Sequence, residues 1–159
     1  MIEEEIGDEL RRRGLTLSLA ESCTGGLVAH RITNVSGSSG YYKGGVIAYA
    51  DEVKEKLLHV AKKTLEEKGA VSAECAREMA NGVRALLDSD IGIATTGIAG
   101  PTGGTPDKPV GLVYIALATK DYVDHEEHIF HKDRAGNKHE AADAALTMLK
   151  RAILTGKEK

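Results

Sequence analysis

Two short apolar strands in this chain each run straight into a glycine-rich turn, and that repetition narrows the folds open to it. In the first, Leu15, Leu17 and Leu19 alternate with Thr16 and Ser18, the two-residue period of a half-buried strand, and Glu21-Ser22-Cys23-Thr24-Gly25-Gly26 follows at once. In the second, Ile91 to Thr95 leads into Thr96-Gly97-Ile98-Ala99-Gly100-Pro101, and the glycines and prolines continue to Pro106. Residues 27–32, after the first turn, read as a helix ending near Asn34. A helix entered through so tight a turn leaves its first N–H groups unpaired there. Those donors and the positive end of the helix dipole suit a phosphate or a developing oxyanion. Ser22 brings a hydroxyl to the same volume, although Ser22 or Thr24 can equally serve as a plain helix cap. Ala20 and Thr24 stand where the G-x-S-x-G nucleophile elbow needs glycines. Neither turn is a P-loop or a dinucleotide-binding fingerprint.

The remaining chain alternates helices with short strands. Residues 2–13 read as a helix with Ile6 and Leu10 on one face, Arg11-Arg12-Arg13 complementing its C-terminal dipole and Gly14 as its stop. Ser36 to Gly40 is a loop by composition. Gly44 to Ala50 reads as a short buried strand, and residues 54–59 and 64–68 as two helical pieces. A longer helix spans Ser72 to Leu87, with Ser72 as N-cap and Ala76, Met79, Ala80, Val83, Leu86 and Leu87 as an apolar stripe. Val110 to Thr119 is apolar almost throughout, the pattern of a central strand buried on both faces. Residues 122–131 read as its antiparallel neighbour across Lys120-Asp121, and a last helix runs from about Asn137 to Leu154. This order predicts a three-layer α/β/α fold with a mixed sheet, one domain over residues 1–159.

Composition removes several function classes. A net charge of −3 offers no strong field to nucleic acid or an anionic membrane, and one Phe, five Tyr and no Trp give no stacking platform. The longest apolar run, Val110 to Ala118, is too short to span a bilayer. Cys23 and Cys75 form neither a disulfide framework nor a zinc pattern, and the six histidines lack metal-ligand spacing. The acidic start Met1-Ile2-Glu3-Glu4-Glu5 has none of a signal peptide's regions, so a cytoplasmic protein is expected. In α/β sheets ligands gather at the C-terminal ends of strands, where glycines let backbone approach closely. Two such turns together point to a phosphorylated or otherwise anionic small molecule.

Five motifs resemble, in order and at similar spacing, those of the CinA C-terminal domain family. They are Ala20-Glu21-Ser22-Cys23-Thr24-Gly25-Gly26, Gly44-Gly45-Val46-Ile47-Ala48-Tyr49, Gly69-Ala70-Val71-Ser72, Thr96-Gly97-Ile98-Ala99-Gly100-Pro101 and Pro109-Val110-Gly111, and the resemblance runs from Leu15 to about Leu154. It implies a nicotinamide-nucleotide amidohydrolase, which turns nicotinamide mononucleotide into nicotinate mononucleotide and ammonia. It also implies the stand-alone form, without the metal-dependent pyrophosphatase domain some relatives carry in front, and a homo-oligomer. On matching positions Ser22 is the implied nucleophile, Tyr49 and Lys54 the active-site tyrosine and lysine, Thr96 the threonine opening the second turn and Arg134 the arginine after the last strand. The family usually shows Gly-Asp-Arg where this chain has Lys132-Asp133-Arg134.

The chemistry of an amidase fits these residues. A desolvated lysine of lowered pKa can take the serine proton, with Tyr49 relaying a proton or giving one to the leaving ammonia. Backbone N–H groups around Thr24, Gly25 and Gly26 suit the oxyanion, and Arg134 with Thr96, Gly97 and Gly100 suits the phosphate. Which turn takes which group is open, and the scheme needs no metal or cofactor. The bland alternatives are a charge-paired surface lysine at 54, beside Glu52, Glu55 and Lys56, and a core tyrosine at 49. The alternative function is a nucleotide-binding or partner-regulating module without turnover.

Overall fold

The computed structural model describes residues 1–156. In chain order its elements are α1 (Ile2–Arg13), β1 (Leu17–Glu21), α2 (Leu27–Thr33), β2 (Tyr42–Ile47), α3 (Asp51–Leu58), α4 (Lys62–Glu67), α5 (Ala73–Leu87), β3 (Ile91–Gly97), β4 (Leu112–Ala118), β5 (Val123–Ile129) and α6 (Arg134–Thr155). The strands form one sheet in the order β2-β1-β3-β4-β5. β1 runs parallel to β2 and β3, while β4 is antiparallel to both β3 and β5, so the sheet is mixed as expected.

The two faces of the sheet carry side chains of different size. Leu17 and Leu19 of β1, Ile91 and Ile93 of β3, and Val113, Ile115 and Leu117 of β4 pack against α1, α2 and α6. Ala20, Ala94, Ala116 and Ala118 face the other way, toward α3 and α5. Small residues let α5 come close: a Cβ on Gly92 would stand 2.4 Å from the Ala80 carbonyl oxygen. On α5 itself, a Cβ on Gly82 would stand 1.9 Å from the carbonyl oxygen of Leu58, so α3 is packed backbone to backbone against it.

This difference corrects one expectation. β1 is buried at every residue rather than half-buried, and its two-residue period separates a large-residue face from a small-residue face. Ser18, on the small face, is fully buried and shares a 2.6 Å hydrogen bond with Ser89. β2 is also different from its expected buried state: it is an edge strand whose residues alternate between half-buried and exposed. β4 lies inside the sheet, although the middle position belongs to β3. α6 begins three residues before its expected start, because Asp133 accepts a hydrogen bond from the Gly136 N–H as N-cap. Ser72 caps α5 as expected, accepting from Cys75 N–H. No helix among the described residues is long and apolar enough to cross a membrane.

Candidate active site

The C-terminal ends of β1 and β3 lie side by side, so the two glycine-rich turns open at the same edge. The Ser22 N–H extends this pairing by one residue, donating to the Thr95 carbonyl at 3.0 Å. Its side chain is 7% exposed, enough to reach a ligand. The first turn is organised by Glu21, a buried carboxylate that accepts from Thr24 Oγ1 (2.6 Å), Val28 N–H (2.9 Å) and Ala29 N–H (2.9 Å). The free donors expected at the start of α2 are therefore occupied by an internal acid rather than open to an anion. Thr24 is 1% exposed and also shares a 2.8 Å hydrogen bond with Thr95, so its hydroxyl is not available to substrate. The N–H groups of Gly25 and Leu27 close turns onto the carbonyls of Ser22 and Thr24. Cys23 and Thr24 N–H make no hydrogen bond among the described residues, which leaves two donors beside Ser22.

Lys54 occupies the first turns of α3, whose leading Asp51 and Glu52 complement the helix dipole. Lys54 and Leu58, four residues apart, form the inward face, while Glu55, Lys56 and Leu57 are exposed. Lys54 is 1% exposed and no carboxylate pairs with it among the described residues. Its Nζ donates to the carbonyls of Ala48 (2.8 Å) and Tyr49 (3.1 Å) and lies 3.1 Å from Ser22 Oγ. The charge-paired surface lysine is thus excluded. Burial pushes the Lys54 ammonium below its usual range, against weaker upward pulls from Cys75, Asp51, Cys23 and Tyr49. Burial pushes both neighbouring thiols, Cys23 and Cys75, up to about 12, so neither supplies a thiolate near neutral pH.

Tyr49 and Arg134 form the outer wall. Tyr49 is 61% exposed rather than a core tyrosine, and its hydroxyl accepts from Arg134 at 3.0 Å. Arg134 also donates to the Gly100 carbonyl at 2.7 Å, tying the start of α6 to both neighbouring loops. Thr96, 1% exposed, donates its hydroxyl to the Ala70 carbonyl at 2.8 Å and so holds the loop before α5 against the second turn. One cleft of about 180 Å³ brings together Ser22, Tyr49, Lys54, Thr96, Gly97 and Arg134. Thr24, Gly25, Gly26 and Gly100 do not line it.

Three further residues shape the site without having been expected to. Glu21 caps the first turn, and its signal in sequence is an acid ending an apolar strand just ahead of a helix. Asn137, 1% exposed, donates to the Ala99 carbonyl (3.0 Å) and accepts from Lys132 N–H (2.9 Å), clamping the second turn. Asp51 places a carboxylate on the cleft wall. Among the described residues no group of three or more His, Cys, Asp or Glu is placed to hold a metal ion.

The fold recurs in known proteins. A CinA-like protein of Geobacter sulfurreducens is 50% identical over 154 residues, covering 97% of this chain and 37% of that protein. A CinA-like protein of Salinibacter ruber is 49% identical over 152 residues, again with 37% of its length matched. The chain thus spans little more than a third of the length of these curated relatives. Among solved structures, the competence/damage inducible protein CihA of Agrobacterium tumefaciens superposes with a TM-score of 0.93 at 37% identity, covering 96% of this chain and 93% of that one. A competence-damaged protein (CinA) superfamily protein from Klebsiella pneumoniae gives 0.93 at 32% identity, covering 97% and 96%. The family model of the CinA C-terminal domain matches residues 1–153, and the chain belongs to that family.

Proposed function

We propose that this protein hydrolyses the carboxamide of nicotinamide mononucleotide to nicotinate mononucleotide and ammonia, with Ser22 as nucleophile and Lys54 as its base. The observation that carries the reading is the contact between Lys54 Nζ and Ser22 Oγ at 3.1 Å, inside a pocket where the amine has no carboxylate partner among the described residues. In the neutral amine, the two N–H bonds go to the carbonyls of Ala48 and Tyr49, which aims the nitrogen lone pair at Ser22. Lys54 takes the hydroxyl proton as Oγ bonds to the carboxamide carbon, and the oxyanion forms beside the N–H of Cys23, which lines the cleft next to Ser22. The tetrahedral centre then collapses. The C–N bond breaks, the leaving nitrogen takes a proton and departs as ammonia, and nicotinate remains esterified to Ser22. Tyr49, whose hydroxyl accepts from Arg134, acts as a relay at this step: it gives its proton to the leaving nitrogen and takes the proton held by Lys54, which returns Lys54 to the neutral amine. Water, deprotonated by Lys54, cleaves the ester and restores Ser22.

The substrate's identity is supported by family membership, by the guanidinium of Arg134 on the cleft wall and by the small size of the cleft. The names of the relatives describe competence and damage induction and state no reaction. A second reading, a nucleotide-binding module without turnover, draws on the three acceptors around Lys54 Nζ, which also fit a protonated, non-basic ammonium. Ammonia release from nicotinamide mononucleotide decides between the two: stoichiometric release supports the amidase, and nucleotide binding without release supports the module.

A further inference from the structure

At the opposite edge of the sheet, where Leu17 and Ile91 begin β1 and β3, a cavity of about 480 Å³ lies against the ends of α1 and α5. It shares no lining residue with the catalytic cleft, which opens at the C-terminal ends of the same two strands. Arg13 and Leu15 reach it from the end of α1, and Arg84 and Asp88 from the end of α5. Asp90, just before β3, and Lys120, in the turn between β4 and β5, complete the wall. Its volume is that of a small-molecule site.

Two helix C-termini bring negative potential to this edge, but most of it is answered from within the chain. The carbonyls of Arg84 and Ala85 accept from the N–H groups of Ser89 and Asp88, and those of Leu10 and Arg11 accept from Leu15 and Gly14. The Asp88 carbonyl accepts from Lys43 Nζ at 2.6 Å. The Asp90 carboxylate accepts from the Thr16 N–H at 2.8 Å and the Thr16 hydroxyl at 3.0 Å. The cations are less well answered. Arg84 makes one long contact, from Nη1 to the Ser89 carbonyl at 3.4 Å, and its Nε is buried without a hydrogen-bond partner. Neither Arg84 nor Lys120, on its exposed turn, forms an ion pair among the described residues. The stem of Arg84 is fixed over β3, its Cβ 3.0 Å from where a Cβ on Gly92 would stand, so the guanidinium is the part left to turn. An oxyanion in the cavity gives that planar fork the acceptors it lacks. Asp88 adds a carboxylate with no partner among the described residues, which repels a bare anion but accepts from a hydroxyl carried beside one.

We propose that this cavity is a second ligand site, which binds a small polyhydroxylated oxyanion through Arg84 and Lys120, with Asp88 accepting from its hydroxyls and Leu15 covering its carbon skeleton. The site is separate from the amide chemistry and is tested without turnover. Glucose 6-phosphate and gluconate carry the two candidate anions on similar polyols, and glucose is the neutral control. Each is titrated into the wild-type protein, into Arg84→Met and into Lys120→Ala, and the backbone N–H resonances of Ser89, Asp90 and Lys120 are followed by NMR. A charge-assisted contact of this kind corresponds to about tenfold or more in affinity. The expected result is a saturable shift of those resonances with at least one anion and none with glucose. Binding is about tenfold weaker in Arg84→Met and weakened by a smaller factor in Lys120→Ala. Because the ligand joins α1, α5 and the β4–β5 turn, it also raises the wild-type Tm, by more than it raises that of Arg84→Met. A response to glucose 6-phosphate alone identifies a phosphorylated ligand, to gluconate alone a carboxylate, and to both a site that accepts either anion. If Arg84→Met does not fold, Lys120→Ala carries the test, since its side chain lies on an exposed turn. Resonances that stay in place with both anions, equal binding by wild type and the folded variants, or equal binding of glucose overturns the proposal.

Discussion

Lys54 Nζ lies 3.1 Å from Ser22 Oγ, and the side chain that makes this contact is 1% exposed. The other two positions around Nζ are taken by backbone carbonyls, so the amine can turn neither toward solvent nor toward a carboxylate. The pair behaves as one unit. Lys54→Met is expected to lower kcat by several orders of magnitude, and the double variant with Ser22→Ala to be little worse than either single change. Lys54→Arg is not expected to rescue activity, because a guanidinium stays protonated. Steady-state kinetics on variants shown to be folded checks this, and additive losses in the double variant contradict the unit.

A lysine used as a base makes activity depend on pH in a defined direction. The folded pKa of Lys54 lies below its ordinary 10.5. The kcat/KM of the free enzyme is therefore expected to climb as pH rises through that lowered value. Stability moves the same way. Below the folded pKa both states hold the proton and the cost of burying the charge is present in full. Between the folded value and 10.5 the unfolded chain binds more protons, so stability rises with pH across that window. Thermal unfolding of wild type against Lys54→Met over pH is the check, and a wild-type stability that does not rise relative to Lys54→Met across that window contradicts it.

Glu21 holds the nucleophile's turn through three hydrogen bonds to one carboxylate. Glu21→Gln keeps the shape but turns an amide N–H₂ toward donors, leaving buried groups unsatisfied. A loss of about 1–3 kcal/mol in denaturant unfolding is expected, with kcat reduced as Ser22 loses its fixed position. A stability change inside about 0.5 kcal/mol means that the carboxylate contributes nothing beyond an ordinary surface residue.

Arg134 touches both the Tyr49 hydroxyl and the Gly100 carbonyl, so its removal has two separable consequences. Arg134→Ala is expected to raise KM for the mononucleotide by an amount corresponding to about 1.5–3 kcal/mol. It is also expected to lower kcat for mononucleotide and riboside alike, by releasing Tyr49. Tyr49→Phe isolates the second effect: kcat falls while KM for the mononucleotide holds. Equal KM effects of Arg134→Ala on both substrates make Arg134 a structural brace only.

Much of the layered fold can be read from apolar patterning, because strand and helix periods reflect which faces are covered. That reading fails where a period has a second cause. Leu17-Ser18-Leu19-Ala20 alternates as a half-solvated strand does, yet both faces are covered, and the alternation marks the small-residue face against which α5 packs. The start of α6 is hidden because Gly136 reads as loop, while the Asp133 cap needs the folded turn to be recognised. In the site, Lys54 and Leu58 share helical spacing, but Glu52, Glu55 and Lys56 around them give the composition of a solvated face. Burial of Lys54 follows from the contact of α3 with α5 at Gly82, which is long-range. Glu21 escapes for another reason: its three donors, Thr24, Val28 and Ala29, are close in sequence but converge on one carboxylate only once the turn is folded.

The most direct measurement is ammonia released per nicotinamide mononucleotide consumed, for wild type and Ser22→Ala, in EDTA-containing buffer. Wild type is expected to release one ammonia for each nicotinate mononucleotide formed, unaffected by the chelator, while folded Ser22→Ala loses several orders of magnitude in kcat and still binds the nucleotide. A kcat for folded Ser22→Ala within about tenfold of wild type, a barrier change of only about 1.4 kcal/mol, contradicts the account and reduces Ser22 to a turn residue.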